Sequence, residues 1–233
     1  MLDRLRLVNY AGETMQPTLL RRLRAAFQGS LFRGYGLTEA GPLVAVLDDR
    51  AHRDRAEIDP GDVGTPAPGV EVRIDEQEGE LLVRSPYVMV GYYNDPKGTA
   101  ARIVDGWLRT GDRAVLEHGA IRLMGRLGTR IRSGGEWVDP GAIERCLSAM
   151  PGIEEAVVIA EPSEQWGERP VAFVRASACI TAGDLRRHLE AHLPRFKWPD
   201  RVELIDQVPR TAVGKTDRAA LATRAPGAGI QLR

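Results

Sequence analysis

Four short segments of the chain combine glycines with side chains that could bind a nucleotide or act on one. The first, residues 34–39, reads Gly-Tyr-Gly-Leu-Thr-Glu. Its glycines let the backbone approach a ligand, and Tyr35 offers a flat face to a base. Thr38 offers a hydroxyl to a phosphate, and Glu39 offers a hard oxygen to Mg²⁺. A glycine-rich turn with an exposed carboxylate explains this segment equally well when it is taken alone.

The second segment, residues 107–112, places a carboxylate directly after a glycine. It reads Trp-Leu-Arg-Thr-Gly-Asp, and the Asp112 carboxylate could accept hydrogen bonds from the paired hydroxyls of a ribose. Aspartate after glycine is also ordinary turn chemistry. By itself, this segment favours a plain turn.

The third segment joins two predicted structural units. Gly125 and Arg126 are followed by Ser-Gly-Gly-Glu-Trp-Val at residues 133–138, before a helix that Asp139 is predicted to cap. A glycine-rich joint could absorb the backbone rotations of a hinge. A plain linker is the alternative.

The fourth segment, residues 209–216, ends in Gly-Lys-Thr. It is not a nucleotide-binding P-loop, because that motif requires a glycine five positions before Gly214, where this chain has Pro209. The 32 basic residues nevertheless include only three lysines, Lys97, Lys197 and Lys215. Lysine carries a compact charge where arginine carries a wide fork. Lys215 is therefore a candidate for contact with phosphate.

Histidine and cysteine spacing predicts no metal centre. His188 and His192 lie four residues apart on a predicted helix, but Glu190 between them fits neither metalloprotease pattern. The two cysteines, Cys146 and Cys179, form neither a disulfide framework nor a zinc motif.

The composition excludes several classes of protein. The 233 residues are 43% hydrophobic and 27% charged, and 32 acidic residues balance the 32 basic ones. No apolar run approaches the ~20 residues of a membrane span. Zero formal charge disfavours a general nucleic-acid or polyanion binder. Because no basic and then apolar leader follows Met1, we expect a cytoplasmic protein.

Two groups of elements must position these segments. In the first group, a helix over 17–28 precedes a strand over 31–35. Alternating valines and isoleucines then predict a β-rich unit over about 60–125, with strands over 70–74, 81–83, 114–116 and 121–124.

The second group predicts an α+β unit of about a hundred residues. A helix runs from Asp139 to about Met150, and Thr181 with Asp184 resembles a capping box before another helix. The other elements are strands over 156–160, 171–174 and 202–205 and a short helix from about Asp217. The tail from Ala225 is predicted to be frayed.

Taken in order, the four segments resemble the motifs of the adenylate-forming acyl-CoA synthetases, AMP-producing ligases of the ANL superfamily that activate carboxylic acids. Residues 11–13 resemble the segment lining the adenine pocket, and residues 79–81 with 91–93 resemble the family's β-barrel signature. The resemblance covers nearly the whole chain.

The resemblance implies a mixed α/β and α+β fold. Residues 1–125 would be the C-terminal portion of the large AMP-binding domain, with an α/β remnant over 1–55 and a small β-barrel over 56–125. A mobile α+β C-terminal lid domain would follow over 126–224, with a flexible tail over 225–233.

The resemblance also implies a reaction in two halves. A carboxylate attacks the α-phosphate of ATP to give acyl-AMP, and the thiol of coenzyme A then displaces AMP. Lys215, Glu39 and Thr38 would be catalytic, with Glu39 holding Mg²⁺. The implied nucleotide-binding residues are Gly12, Glu13, Tyr35, Gly36, Asp112 and Arg126. The implied coenzyme A contacts are Ser133, Gly134, Gly135 and Glu136.

The chain departs from the family pattern in two places. Gly128 occupies the hinge position, which is usually Asp or Lys. The family's Ser/Thr/Gly-rich loop, which grips the β- and γ-phosphates, has no counterpart before Tyr35. We therefore expect the C-terminal part of a ligase that is inactive alone and self-associates through residues 1–50 or uses a separate N-terminal half.

Two other functions remain open at this stage. One is a non-catalytic nucleotide-binding or regulatory module that keeps the fold, and the other is an adenylation-domain fragment that acts on a carrier protein. The expected partner is a small carboxylic acid, fatty or aryl, with no nucleic acid and no membrane span.

Overall fold

The computed structural model divides into two compact units with the boundary between Gly128 and Thr129. No helix in the described residues is long and apolar enough to cross a membrane. The structure describes residues 4–15, 17–55, 57–212, 214–224 and 229–232.

The first unit is built on one continuous sheet. Its strands follow the order β1-β2-β3-β4-β9-β8-β6-β5, and β7 pairs with β8. A 3₁₀ turn over Leu127–Thr129 follows the last strand. The elements are β1 (Leu7–Ala11), α1 (Pro17–Ala26), β2 (Ser30–Leu37), β3 (Gly41–Leu47), α2 (Asp49–Asp54), β4 (Asp62–Pro66), β5 (Glu71–Ile74), β6 (Glu80–Arg84), α3 (Pro96–Arg102), β7 (Ile103–Val104), β8 (Trp107–Glu117) and β9 (Ala120–Arg126).

The mixed fold is confirmed, but the predicted small barrel over 56–125 is wrong as a closed structure for the described strands. One end of β4 pairs with β3 through Ala45↔Pro66, and its other end pairs with β9 through Asp62↔Arg122. β4 therefore joins strands β1–β3 on one side and strands β5–β9 on the other into a single sheet. At the far end of that sheet, β5 pairs with β6 as the predicted hairpin.

The second unit has a sheet covered on both faces. Along β12 (Ile153–Ser163), Ala156 and Val158 pack into one core cluster, whereas Val157 and Ile159 pack into another. Successive strand residues point to opposite faces, which explains why residues 156–160 of this strand are all apolar. The elements are β10 (Ile131–Ser133), β11 (Glu136–Val138), α4 (Pro140–Ser148), β12 (Ile153–Ser163), β13 (Gly167–Ala176), α5 (Ala182–His192), β14 (Arg201–Leu204), α6 (Arg218–Ala222) and β15 (Ile230–Gln231).

The helices of the second unit begin where the sequence predicts. Asp139 caps α4, with Pro140 in the first turn. Thr181 and Asp184 form the predicted capping box of α5. The apolar sides of the two helices share the same core, in which Leu147, Leu185 and Leu189 are fully buried.

The prediction of a flexible tail is wrong for residues 229–232. Residues 225–228 and 233, which belong to the predicted flexible tail, lie outside the described residues. Ile230 and Gln231 form β15 against β14, and Leu232 is 2% exposed. The reason is that the apolar side chains of Ile230 and Leu232 join the core of the second unit.

Gly36 is required by a close approach of backbone. A Cβ placed there would lie 2.4 Å from the carbonyl carbon and oxygen of Pro42, at the start of β3. Gly36→Ala should therefore lower the free energy of unfolding of the first unit by about 1–3 kcal/mol. Urea unfolding followed by the amide signals of β2 and β3 measures this.

Gly128→Ala is the matched control, because a Cβ there meets nothing within 4 Å. It should be neutral or stabilising by up to about 1 kcal/mol. Equal stabilities for the Gly36→Ala and Gly128→Ala chains would contradict the crowding described at Gly36.

Candidate nucleotide-binding site

Two side chains, those of Tyr35 in β2 and Arg126 in β9, meet around the carboxylate of Asp112 in β8. The Tyr35 hydroxyl donates a hydrogen bond to Oδ2 of Asp112 at 2.7 Å, and Nε of Arg126 donates to Oδ1 at 2.9 Å. Asp112 and Arg126 are directly opposite each other in the β8–β9 ladder. The strand register thus sets this ion pair, and the Asp112 side chain is 14% exposed.

Burial and the neighbouring charge keep Tyr35 in its neutral form. Tyr35 is 9% exposed and belongs to the core cluster of the first unit. Burial, followed by the charge of Asp112 and the hydrogen bond to it, raises the pKa of Tyr35 well above its usual value. The phenol is therefore a fixed hydrogen-bond donor to the carboxylate.

Asp112 lies within β8 and not in the plain turn of the sequence analysis, and its position is held by two residues whose importance that analysis missed. The buried carboxylate of Glu80 accepts a hydrogen bond from the Gly111 amide at 2.7 Å. The buried Thr110 hydroxyl donates to the Leu81 carbonyl at 2.7 Å and accepts from the Asp112 amide at 3.0 Å. These bonds attach this part of β8 to β6 and fix the position of the carboxylate.

Glu39 lies in the turn between β2 and β3 and has one tyrosine partner. The Tyr92 hydroxyl donates to Oε1 of Glu39 at 2.7 Å. The Tyr92 amide in turn donates to the Thr99 hydroxyl of α3 at 2.9 Å, which positions the ring. The hydrogen bond from Tyr92 is the largest cause that lowers the pKa of Glu39.

Removing that hydroxyl should raise the pKa of Glu39. In Tyr92→Phe the carboxylate loses the hydrogen bond that favours its charged form, so its protonation should occur at higher pH than in the parent chain. A carboxyl ¹³C NMR titration measures the shift. Tyr93→Phe is the control, since Tyr93 is 94% exposed. If both variants titrate like the parent, the Tyr92 hydroxyl does not set the pKa.

The remaining candidates of the first unit lie on the same sheet. Gly12 and Glu13 follow β1, whose last residue, Ala11, pairs with Gly34 of the parallel strand β2. Gly36 is in β2, and Thr38 is exposed in the turn that carries Glu39. The structure thus places Gly12 and Glu13 beyond the end of a strand adjacent to the one that carries Tyr35.

In the second unit, residues 133–136 form a hairpin and not the glycine-rich joint of the sequence analysis. Ser133 pairs with Glu136 across β10 and β11. Gly134 and Gly135 have φ values of +62° and +88°, as a two-residue type I′ turn requires. A Cβ on Gly134 would lie 2.7 Å from the Trp166 ring, and the Gly134 amide donates to the Trp166 carbonyl at 3.0 Å.

The predicted coenzyme A residues differ in exposure. Ser133 is buried, and its hydroxyl accepts a hydrogen bond from Nη1 of Arg169 at 2.9 Å. Glu136 is exposed at the end of the turn. Gly128, the predicted hinge, is the last residue of the first unit.

Lys215 is exposed in a tightly closed loop. The Thr211 amide donates to the Lys215 carbonyl at 2.7 Å, and the Asp217 amide donates to the Pro209 carbonyl at 2.9 Å. Asp217 then caps α6. Val213, within this segment, lies outside the described residues. The backbone of the loop therefore brings the lysine to the surface of the second unit beside a short helix.

Two family models match the chain. The AMP-binding enzyme model matches residues 1–93, and the model of the AMP-binding enzyme C-terminal domain matches residues 142–215.

Curated relatives are similar over most of the chain. A fatty acid–[acyl-carrier-protein] ligase, ScoC of Streptomyces coeruleorubidus, is 36% identical over 94% of this chain and 44% of its own length. A 2-succinylbenzoate–CoA ligase of Listeria monocytogenes is 33% identical over 83% of the chain and 41% of its length. The chain thus spans less than half the length of these relatives.

Solved structures are also similar over most of the chain. The amide bond synthetase McbA of Marinactinospora thermotolerans matches with a TM-score of 0.85 and 32% identity, over 94% of this chain and 46% of that one. The o-succinylbenzoate CoA synthetase of Bacillus subtilis, in complex with its acyl-adenylate intermediate, matches with a TM-score of 0.80 and 27% identity, over 97% and 47%. The chain belongs to the AMP-binding enzyme family, the ANL superfamily of adenylate-forming ligases, and matches the C-terminal part of its members.

Proposed function

We propose that the chain is part of an acid–CoA ligase, which converts a carboxylic acid and ATP into acyl-AMP and pyrophosphate and then transfers the acyl group to coenzyme A. The observation that carries this proposal is the fixed Asp112 carboxylate between Tyr35 and Arg126. Each carboxylate oxygen keeps a second lone pair. Both oxygens can therefore accept hydrogen bonds from the two hydroxyls of a ribose.

The turn beside this site supplies hard oxygen donors. The Glu39 carboxylate, with its lowered pKa, and the exposed Thr38 hydroxyl fit Mg²⁺. When bound there, Mg²⁺ would neutralise charge on phosphate oxygens. Lys215 would neutralise the charge that develops between the attacking carboxylate and the α-phosphate.

The second half of the reaction is assigned to the hairpin at residues 133–136, which would contact coenzyme A. The sulfur of the thiol attacks the acyl carbon, the bond between that carbon and the AMP oxygen breaks, and the thiol proton passes to solvent. Gly128, at the boundary between the units, is the proposed pivot. Rotation there would withdraw Lys215 after the first half-reaction and bring the hairpin into place for the second.

A carrier protein is the second candidate acceptor. It is favoured by the 36% identical relative, which is named as a ligase of fatty acids to an acyl-carrier protein. Ligases named for coenzyme A are 30–35% identical. Transfer assays with coenzyme A and with a phosphopantetheinylated carrier protein, run side by side, separate the two acceptors.

We propose that the 233-residue chain alone is inactive, since it has no Ser/Thr/Gly-rich phosphate loop before Tyr35. Several apolar side chains support self-association or a partner half at residues 1–50. Among the residues of this stretch that the structure describes, the exposed leucines are Leu5, Leu7, Leu19 and Leu43, at 43–53% exposure.

Binding of AMP tests the site directly. Asp112→Asn removes the charge that strengthens the ribose hydrogen bonds, so it should weaken AMP binding by on the order of 10-fold or more. Calorimetric titration of the chain with AMP measures the affinity. Asp105→Asn, in the exposed turn between β7 and β8, is the matched control. The proposal fails if the parent chain does not bind AMP or if both variants bind it equally.

A further inference from the structure

A cysteine and two histidines that belong to none of the segments assigned above converge in the second unit. Cys146 lies on α4, and His188 and His192 lie on α5. The Cys146 sulfur and one nitrogen of each imidazole all lie within 4.8 Å of one another. The grouping is not evident from the sequence because 42 residues separate Cys146 from His188.

The backbone on which these side chains stand is fixed by the core. Leu147, next to Cys146, is fully buried, and so is Leu189, next to His188. Both helices are capped at their first turns. The convergence is therefore a product of helix packing and not of a loose surface loop.

Backbone carbonyls fix the tautomers of the two imidazoles. Nε2 of His188 lies 2.8 Å from the Cys146 carbonyl oxygen, and Nδ1 of His192 lies 2.8 Å from the His188 carbonyl oxygen. A carbonyl oxygen only accepts, so each of these nitrogens carries its proton. In the neutral rings, the lone pairs are then on Nδ1 of His188 and Nε2 of His192. Histidines that bind metals characteristically donate their other N–H in this way.

We propose that Cys146, His188 and His192 form a binding site for a transition-metal ion of the Zn²⁺ type. One thiolate and two imidazoles favour such ions over Mg²⁺ or Ca²⁺. Ligand atoms around tetrahedral zinc are about 3.3–3.8 Å apart, so the three side chains, which offer ligand atoms within 4.8 Å of one another, must close further around the ion. His192 is exposed, so solvent can supply water as the fourth ligand.

Metal binding requires the Cys146 thiol to lose its proton. Burial raises the pKa of the Cys146 thiol to about 11, so the ion displaces a proton from sulfur to the buffer. The site is independent of the proposed ligase reaction, since none of its residues has a role there.

Titration of the full 233-residue chain with Co²⁺, in the presence of a phosphine reductant, tests the proposal. Cobalt replaces zinc in such sites, and a bound thiolate gives a sulfur-to-cobalt charge-transfer band in the near ultraviolet. We expect that band to saturate at one Co²⁺ per chain and to disappear when Zn²⁺ is added. His192→Gln should weaken binding by at least about 100-fold, because even the partners of metal ligands contribute 10- to 100-fold.

Two cysteine variants identify the ligand. Cys146→Ser should abolish the band, whereas Cys179→Ser, at an exposed cysteine outside the cluster, should retain it. Circular dichroism establishes that each variant is folded. If Cys146→Ser does not fold, His192→Gln decides, since that side chain is exposed. The proposal is overturned if excess Co²⁺ gives no band, if the band survives in folded Cys146→Ser, or if His192→Gln binds like the parent.

Discussion

Lys215→Ala should reduce ATP–pyrophosphate exchange by on the order of 100-fold or more, because it removes the cation proposed to stabilise charge at the α-phosphate. The closed loop from Pro209 to Asp217 holds the lysine backbone at the surface, so the substitution removes charge without disturbing the core. Acyl transfer from preformed acyl-AMP to coenzyme A should change little.

This measurement requires an enzyme that catalyses the exchange reaction. Residues 1–233 can be joined to the N-terminal part of the Bacillus subtilis o-succinylbenzoate CoA synthetase, of which the chain matches 47%. Lys97→Ala is the matched control, since Lys97 is exposed in α3 and has no proposed role. Equal loss of exchange in the two lysine variants would remove Lys215 from the mechanism.

Gly134→Ala should produce the opposite pattern, with acyl transfer slowed by on the order of 100-fold and exchange retained. The added Cβ would lie 2.7 Å from the Trp166 ring at a residue whose φ is +62°. The hairpin must therefore move, and a displacement of about 1 Å at a reacting site can cost 100-fold. Single-turnover thioester formation in the same chimera measures the effect.

Gly69→Ala controls for the strain of a positive φ without a steric clash. Gly69 has a φ of +77°, and a Cβ there meets nothing within 4 Å. This control should lose some stability and keep both half-reactions. If Gly134→Ala slows exchange and transfer alike, the hairpin has no separate role in the second half-reaction.

Elements whose signals are local could be predicted from the sequence. The capping box at Thr181 and Asp184 and the hairpin around Gly79 depend on neighbouring residues, and both are present in the structure. The hairpin over residues 131–138 was interpreted as a joint. Its strands are three residues long, and two glycines in a row serve a hinge or a tight turn equally well.

The candidate site was predictable as a set of residues but not as a network. Nothing local to residue 112 or 126 indicates that they pair, because their pairing depends on the β8–β9 register. The hydrogen bond between Glu39 and Tyr92 spans 53 residues. Such contacts are set by tertiary structure, and single-sequence patterns extend only a few residues.

The hydrophobic clusters of the described residues each draw their members from one side of the Gly128–Thr129 boundary. Proteolytic cleavage at that boundary should therefore yield two pieces with intact interiors. In evolution, the same independence would let one piece be exchanged between related genes without repacking the other. A new acceptor could then be acquired by replacing the second unit while the proposed nucleotide contacts of the first are inherited unchanged.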